Sequence, residues 1–146
     1  PKSRGSVQLA SPRWQDDPRI DFRYFSHPDD LATMVKGVRR VLEVFDTPTL
    51  RARVKADLRT AHCRTDEDFA QWCRSVAGTN YHPVGSCRMG PDAADSVVDA
   101  RLRVHGVQGL RVIDSSIFPT IPGGNTTAPS YMVGEKGAAM LGEDWR

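Results

Sequence analysis

The chain has 146 residues, of which 39% are hydrophobic and 26% are charged, a balance typical of a folded domain and not of a disordered chain. Its 20 basic and 18 acidic residues give a formal net charge of +2 and are mixed along the sequence, which excludes the basic block of a nucleic-acid-binding protein. The lack of any apolar run of about 18 residues excludes a predicted transmembrane segment.

The N-terminal residues, Pro-Lys-Ser-Arg-Gly, contain neither an apolar signal region nor an initiator methionine. We therefore expect a soluble chain that begins inside a longer reading frame. The three cysteines, Cys63, Cys73 and Cys87, are too few for a secreted disulfide scaffold, and they favour a reducing, cytoplasmic location. Because no Cys-x-x-Cys or paired-histidine spacing occurs, no metal site is predicted.

Alternating apolar residues near the N-terminus predict two strands. Val7 and Leu9 share one face, and after a turn region the alternation resumes at Ile20, Phe22 and Tyr24. This is the pattern of a hairpin in an antiparallel sheet.

Three helices are predicted next. The first begins with Ser26 as its cap and Pro28 in its first turn, and its apolar residues recur at helical spacing from position 31 to 45. The second begins at Thr47-Pro48 and continues through Leu50, Val54 and Leu58. The third begins at Thr65, with Asp68 three residues later, and ends at Gly78.

Glycine and proline become frequent after Gly78, and the apolar runs become short. The run from Leu110 to Ile113 predicts a buried strand that ends at Asp114. Ligands of α/β proteins bind beside such strand ends. A closing helix is predicted from about Ser130 to Leu141, and its glycines and alanines indicate close approach to a neighbouring element.

One histidine in this second half has the surroundings of a candidate base. His82 lies in a loop, and a polar cluster follows downstream at a predicted helix N-terminus. An imidazole that takes a proton contributes about 10²- to 10⁴-fold to a rate, and helix N-termini stabilise developing negative charge. A lone loop histidine is more often structural, so the residues alone leave both interpretations open.

Three segments resemble the C-terminal signature of the glucose-methanol-choline (GMC) oxidoreductases, and their general run is similar to the choline-dehydrogenase-like members. They are His-Pro-Val-Gly-Ser-Cys-Arg-Met-Gly at 82–90, the segment from Val97 to Pro119 that contains Val-Ile-Asp-Ser-Ser, and Gly-Asn-Thr-Thr-Ala-Pro at 124–129. Further similar residues lie at 3–9, 18–30 and 131–138, so the resemblance spans nearly the whole chain.

The resemblance implies a flavoprotein that oxidises the CH–OH group of an alcohol to a carbonyl. It makes His82 the base that takes the hydroxyl proton while hydride passes to N5 of the flavin of FAD. Asn125 is implied to orient the substrate oxygen, because an amide cannot exchange a proton at neutral pH. The implied cofactor contacts are Asp114, Ser115, Asn125, Thr126 and Thr127, with a turn cap as the alternative for Asp114.

An α+β fold in two parts is also implied. Residues 1–78 resemble part of a substrate-binding domain, an antiparallel sheet with packed helices. Residues 79–146 carry the base loop and complete an FAD-binding α/β domain with its closing strand and helix. Because no Gly-x-Gly-x-x-Gly occurs, we expect FAD to be held mostly by an N-terminal part absent from this chain, and the isolated chain to be inactive.

Two alternative functions stay open: a non-catalytic binding or assembly module derived from this family, and a hydroxynitrile lyase-like enzyme that contains FAD. Reduction of a bound flavin by an alcohol separates both from the oxidoreductase. A serine hydrolase is excluded, because Gly85-Ser86-Cys87 does not form a nucleophile elbow. The sequence specifies neither the alcohol nor the electron acceptor.

Overall fold

The computed structural model describes residues 1–145, which divide into two compact units, Pro1–Gly78 and a second from Thr79 onward. The first unit contains strands β1 (Ser6–Gln8) and β2 (Arg19–Asp21) and helices α1 (Pro28–Phe45), α2 (Pro48–Arg51) and α3 (Asp66–Val76). The second contains a single 3₁₀ turn (Ser115–Ile117) and helix α4 (Thr127–Asp144). The predicted α+β fold is confirmed. The assignment of the units to substrate and FAD domains stays a prediction.

The predicted hairpin forms, with shorter strands than the alternation indicates. β1 and β2 pair antiparallel, with Val7 opposite Ile20. The chain leaves the extended conformation at Arg23, whose φ of +48° lies in the left-handed region, so Tyr24 falls outside β2. The rings of Phe22 and Tyr24 nevertheless stack, with centroids 5.2 Å apart.

Helix α1 begins one residue later than a Ser26 cap requires, so that predicted cap is wrong. The N-cap is His27, whose Nδ1 accepts the backbone N–H of Asp29 at 3.2 Å. Pro28 lies in the first turn of the helix, where a backbone N–H would have no acceptor within the helix. Its missing N–H therefore costs no intrahelical hydrogen bond.

The first turn of α1 also holds the N-terminal residues. The Asp30 carboxylate accepts the backbone N–H groups of Lys2 and Ser3, each at 2.7 Å. The Ser3 hydroxyl and these two N–H groups hold the pKa of Asp30 far below its ordinary value. The ionised carboxylate therefore ties residues 1–3 to the start of α1.

The core of the first unit lies between α1 and α3. It is built from Leu31 and Val35 of α1, Phe69 and Cys73 of α3, and Cys63 from the preceding segment. Burial raises the pKa of both thiols, so they remain protonated and pack as small apolar groups.

Helix α2 is a single turn, and the prediction that it continues to Leu58 is wrong. Val54 and Leu58 are 43% and 89% exposed. Short helices depend on packing of an apolar face for most of their stability. Within residues 1–145 these two side chains are poorly covered, and the helix ends at Arg51.

Helix α3 begins as the sequence predicts and ends at Val76, two residues before Gly78. Its start is a capping box. Thr65 Oγ1 accepts the backbone N–H of Asp68 at 3.2 Å, and Asp68 Oδ2 accepts the N–H of Thr65 at 2.7 Å.

The core of the second unit lies under α4. It contains Val98, Leu102, Ile117 and Val133, with Val98 fully enclosed. The predicted close approach of the closing helix is confirmed at Gly137, where an added Cβ would lie 2.4 Å from Cγ2 of Ile113. Only glycine allows α4 to pack at this distance.

The run from Leu110 to Ile113 does not form a continuous strand within the described residues. It makes one isolated bridge, between Arg103 and Arg111, and Leu110 is 51% exposed. A strand requires a ladder to a neighbouring extended segment. Here the two backbone bonds, from Val112 to Leu102 O and from Val104 to Leu110 O, join the run to a turn-rich stretch.

Two arginines hold the C-terminal end of α4. Arg101 pairs with Glu143 at 3.0 Å and with Asp144 at 2.7 Å, and Arg111 pairs with Asp144 as well. The hydrogen bond from Arg111 lowers the pKa of Asp144. Carboxylates at a helix C-terminus oppose the helix dipole, and these arginines offset that repulsion. Among residues 1–145, no helix combines the length and apolar character needed to cross a bilayer.

Replacing Thr65 by alanine removes the side-chain half of the capping box. We expect a loss of about 1 kcal/mol in the free energy of unfolding, because the N–H of Asp68 loses its acceptor. Urea denaturation of this chain, followed by circular dichroism, measures the loss. Ser75→Ala removes a hydroxyl from the same helix near its other end and should change stability by less than about 0.5 kcal/mol. Equal effects of the two substitutions would contradict the capping role.

Candidate functional site

The loop that carries His82 begins with a turn set by its own sequence. The Thr79 hydroxyl accepts the backbone N–H of Tyr81 at 2.9 Å, and Tyr81 has a φ of +60°. Pro83 restricts His82 to extended backbone. These constraints fix the direction of the chain at the start of the second unit, where the loop begins.

The backbone of the loop is then hydrogen-bonded to the 3₁₀ turn. The N–H of Cys87 donates to the carbonyl of Ser116 at 3.0 Å, and the N–H of Met89 donates to the carbonyl of Ile117 at 2.8 Å. Ile117 belongs to the buried core, so the loop is anchored to the core of the second unit. The loop that carries His82, residues 82–90, thereby lies together with the predicted Asp114-Ser115 site.

Asp114 caps the 3₁₀ turn, which is the alternative role that the sequence left open for it. Its Oδ1 accepts the backbone N–H of Ser116 at 2.7 Å, and the residue is exposed. Ser115, which begins the turn, is half-buried. A cap leaves the second carboxylate oxygen of Asp114 for a ligand, so the predicted cofactor contact stays a prediction.

His82 meets the start of α4 through Thr126. Nδ1 of His82 and Oγ1 of Thr126 are 3.0 Å apart, and Thr126 is 8% exposed. Asn125 and Thr127 flank this contact and are exposed. The N–H groups of the first helical turn point out of the helix N-terminus and carry its partial positive charge.

The arrangement combines a proton acceptor with a set of donors. His82 can take a proton, while the N-terminus of α4 can stabilise negative charge. Residues 1–145 contain no cluster of three or more His, Cys, Asp or Glu side chains suited to a metal ion.

Two contacts of this site were not predicted from the sequence. Thr126 was assigned to the cofactor, yet its hydroxyl contacts the ring of His82. His105 Nε2 lies 3.1 Å from both Ser96 Oγ and the carbonyl oxygen of Gly90, and so holds the C-terminal end of the loop that carries His82. Both join residues distant in the sequence, and neither has a spacing pattern that could reveal it.

Comparison with known proteins agrees with these motifs. A family model described as GMC oxidoreductase matches residues 1–134. The chain belongs to the GMC oxidoreductase family. The match is to the C-terminal domain of that family and confirms the resemblance on which the site residues were chosen.

Curated GMC relatives are similar along almost the whole chain. An alcohol dehydrogenase [acceptor] from Pseudomonas putida is 43% identical over 97% of this chain and 26% of its own length. An oxygen-dependent choline dehydrogenase from Brucella melitensis biotype 1 is 44% identical over 96% of this chain and 26% of its own length. The chain thus spans about a quarter of the relatives it matches.

A solved structure has the same fold. An FAD-dependent oxidoreductase from Chaetomium thermophilum superposes with a TM-score of 0.90 at 30% identity, over 97% of this chain and 25% of that chain.

The close contact between Gly85 and Phe118 gives a test of how the loop that carries His82 is held in place. Gly85 has a φ of +87°, and a Cβ there would lie 3.2 Å from the carbonyl oxygen of Phe118. Gly106 has a similar φ of +74° with open space around it. Each Gly→Ala substitution should cost about 1–2 kcal/mol from backbone strain.

The Gly85→Ala substitution should cost more than Gly106→Ala, because the loop must also move away from Phe118. Urea denaturation of the two variants of this chain measures the difference. A larger loss for Gly106→Ala would show that the contact with Phe118 does not constrain the loop.

Proposed function

We propose that this chain supplies the catalytic base and the C-terminal wall of the active site of an FAD-dependent enzyme that oxidises an alcohol to a carbonyl compound. The observation that carries the proposal is the placement of His82 at the N-terminus of α4, through the 3.0 Å contact with Thr126. A base beside a positive helix end suits a reaction in which a hydroxyl group loses its proton.

Proton removal falls to His82. Its imidazole takes the hydroxyl proton of the substrate at Nε2, because Nδ1 is occupied by Thr126. Asn125 precedes Thr126 in the chain and is exposed, and its amide N–H can donate to the substrate oxygen, so it orients the alcohol without exchanging a proton.

The residues around α4 suit the isoalloxazine edge of a flavin. The helix N-terminus offers backbone N–H donors, and Thr127 adds an exposed hydroxyl. Such donors stabilise the negative charge that builds up near N1 and C2=O on reduction. A bound flavin supplies the acceptor for the hydride of the alcohol carbon.

Cofactor contacts at Asp114 and Ser115 belong to the same proposal. The 3₁₀ turn that follows Asp114 accepts the backbone N–H groups of Cys87 and Met89 from the loop that carries His82. A cofactor bound at Asp114 and Ser115 would therefore lie beside this loop. The names of the relatives, alcohol dehydrogenase [acceptor] and choline dehydrogenase, support an alcohol as the substrate class.

Substitution of His82 tests the reaction. In the full-length flavoprotein, His82→Ala should lower the limiting rate of flavin reduction by an alcohol at least about 10²-fold, since a general base contributes 10²- to 10⁴-fold. FAD should remain bound, because the imidazole is not among the proposed cofactor contacts. Anaerobic stopped-flow absorbance at the flavin band, after a panel of alcohols has identified a substrate, measures the rate.

His62→Ala is the matched control, because His62 is exposed and is not among the residues proposed to contact the substrate or FAD. It should reduce flavin at the wild-type rate. An unchanged rate in His82→Ala would remove His82 from the mechanism. A wild-type flavin that no alcohol reduces would favour the lyase, and a full-length protein without flavin would favour the non-catalytic module.

The isolated chain should not bind FAD in a stable complex. It contains no Gly-x-Gly-x-x-Gly fingerprint, and backbone donors at one helix end grip only one edge of a flavin. Titration of the chain with FAD, followed by gel filtration at 450 nm, tests this. A yellow protein with one FAD per chain would refute the division of the cofactor site between this chain and a preceding segment.

A further inference from the structure

Thr126 stands at the N-cap of α4 but does not cap the helix with its side chain. An N-cap threonine ordinarily accepts a backbone N–H from the second or third helical residue. Here the backbone has a φ of −80° and a ψ of −6°, and the side chain makes no capping bond. The hydroxyl is directed instead to Nδ1 of His82, at 3.0 Å.

The rest of Thr126 is held firmly. Its carbonyl accepts two bonds from Ser130, from the backbone N–H at 2.9 Å and from the hydroxyl at 2.7 Å. The residue is buried, and a β-branched side chain has few χ1 rotamers available. The hydroxyl is therefore a fixed point against which an imidazole ring can be oriented.

The proton at this contact decides what His82 can do. If the Thr126 hydroxyl accepts the N–H of Nδ1, the lone pair of a neutral ring lies on Nε2 and is free to take a proton from a substrate. If the hydroxyl donates to Nδ1, then Nε2 carries the proton and cannot act as a base. Only the first tautomer is compatible with general-base catalysis at Nε2.

We propose that Thr126 is a positioning residue for the base: its hydroxyl accepts the N–H of His82 Nδ1, fixing both the ring orientation and the tautomer that leaves Nε2 free. This inference rests on the proposed role of His82. It gives the Thr126 side chain a different task from the flavin contact expected from the sequence. Thr126 need not touch the substrate for its loss to lower the rate.

The kinetic test uses the full-length flavoprotein with Thr126→Val, Thr126→Ser and Thr120→Val. Valine keeps the shape and removes the acceptor, serine restores it, and Thr120→Val makes the same change at an exposed loop position. Thr126→Val should lower the limiting rate of flavin reduction about 10-fold or more, within the range that misplaced catalytic groups lose. The Kd for the alcohol and the FAD content should change less than about twofold.

Thr126→Ser should recover most of the rate, and Thr120→Val should match the wild type. An unchanged rate in Thr126→Val, while His82→Ala lowers the rate of flavin reduction as expected, would overturn the positioning role and leave the base assignment intact. An unchanged rate in His82→Ala would instead remove the proposed function on which this inference rests. Loss of FAD in Thr126→Val with no fall in rate per bound flavin would restore Thr126 to a cofactor contact.

A second measurement does not depend on turnover. ¹H–¹⁵N correlation spectra of the full-length protein labelled at histidine nitrogens, with the His82 signals assigned by their loss in His82→Ala, report which ring nitrogen is protonated. Wild type and Thr126→Ser should have the proton on Nδ1, and Thr126→Val should gain the Nε2-protonated form. A wild-type ring protonated on Nε2 would overturn the inference, since Thr126 would then be the donor.

Discussion

The candidate site depends on how a segment without regular secondary structure is held in place. Residues 82–90 form no helix or strand ladder of their own, so their backbone N–H groups must find partners elsewhere. Cys87 and Met89 find them on the carbonyls of the 3₁₀ turn, and Ile117 of that turn is buried in the core. The loop that carries His82 is thus held by the apolar core of the second unit, through Cys87 and Met89.

Local sequence patterns predicted the long helices of the first unit, in which an apolar face and a cap coincide. α1 and α3 have apolar periodicity over several turns, and Thr65 with Asp68 marks the start of α3. The errors lie where tertiary packing decides. The second predicted helix ended early because the face that includes Leu58 has nothing to cover it, and the run beginning at Leu110 lacks a neighbouring ladder among the described residues.

The candidate site was predicted through motifs, which select residues but do not give their contacts. His82 and Thr126 lie in different motifs of the sequence. The motifs predict that His82 contacts the substrate and that Thr126 contacts the cofactor. Their hydrogen bond joins positions far apart in the chain, and such a bond has no periodicity by which it could be recognised. The sequence leaves a turn cap possible at Asp114, because an aspartate carboxylate commonly accepts the backbone N–H two residues later.

The three cysteine thiols differ in chemical accessibility. Cys63 and Cys73 are enclosed in the core of the first unit with a raised thiol pKa, which slows alkylation, since the thiolate is the reactive form. Cys87 is only half-buried, and it lies on the loop that carries His82. In this part of the protein, a maleimide or a fluorinated thiol tag would therefore react first at Cys87. The native sequence already provides an attachment point for a reporter group on the loop that carries His82.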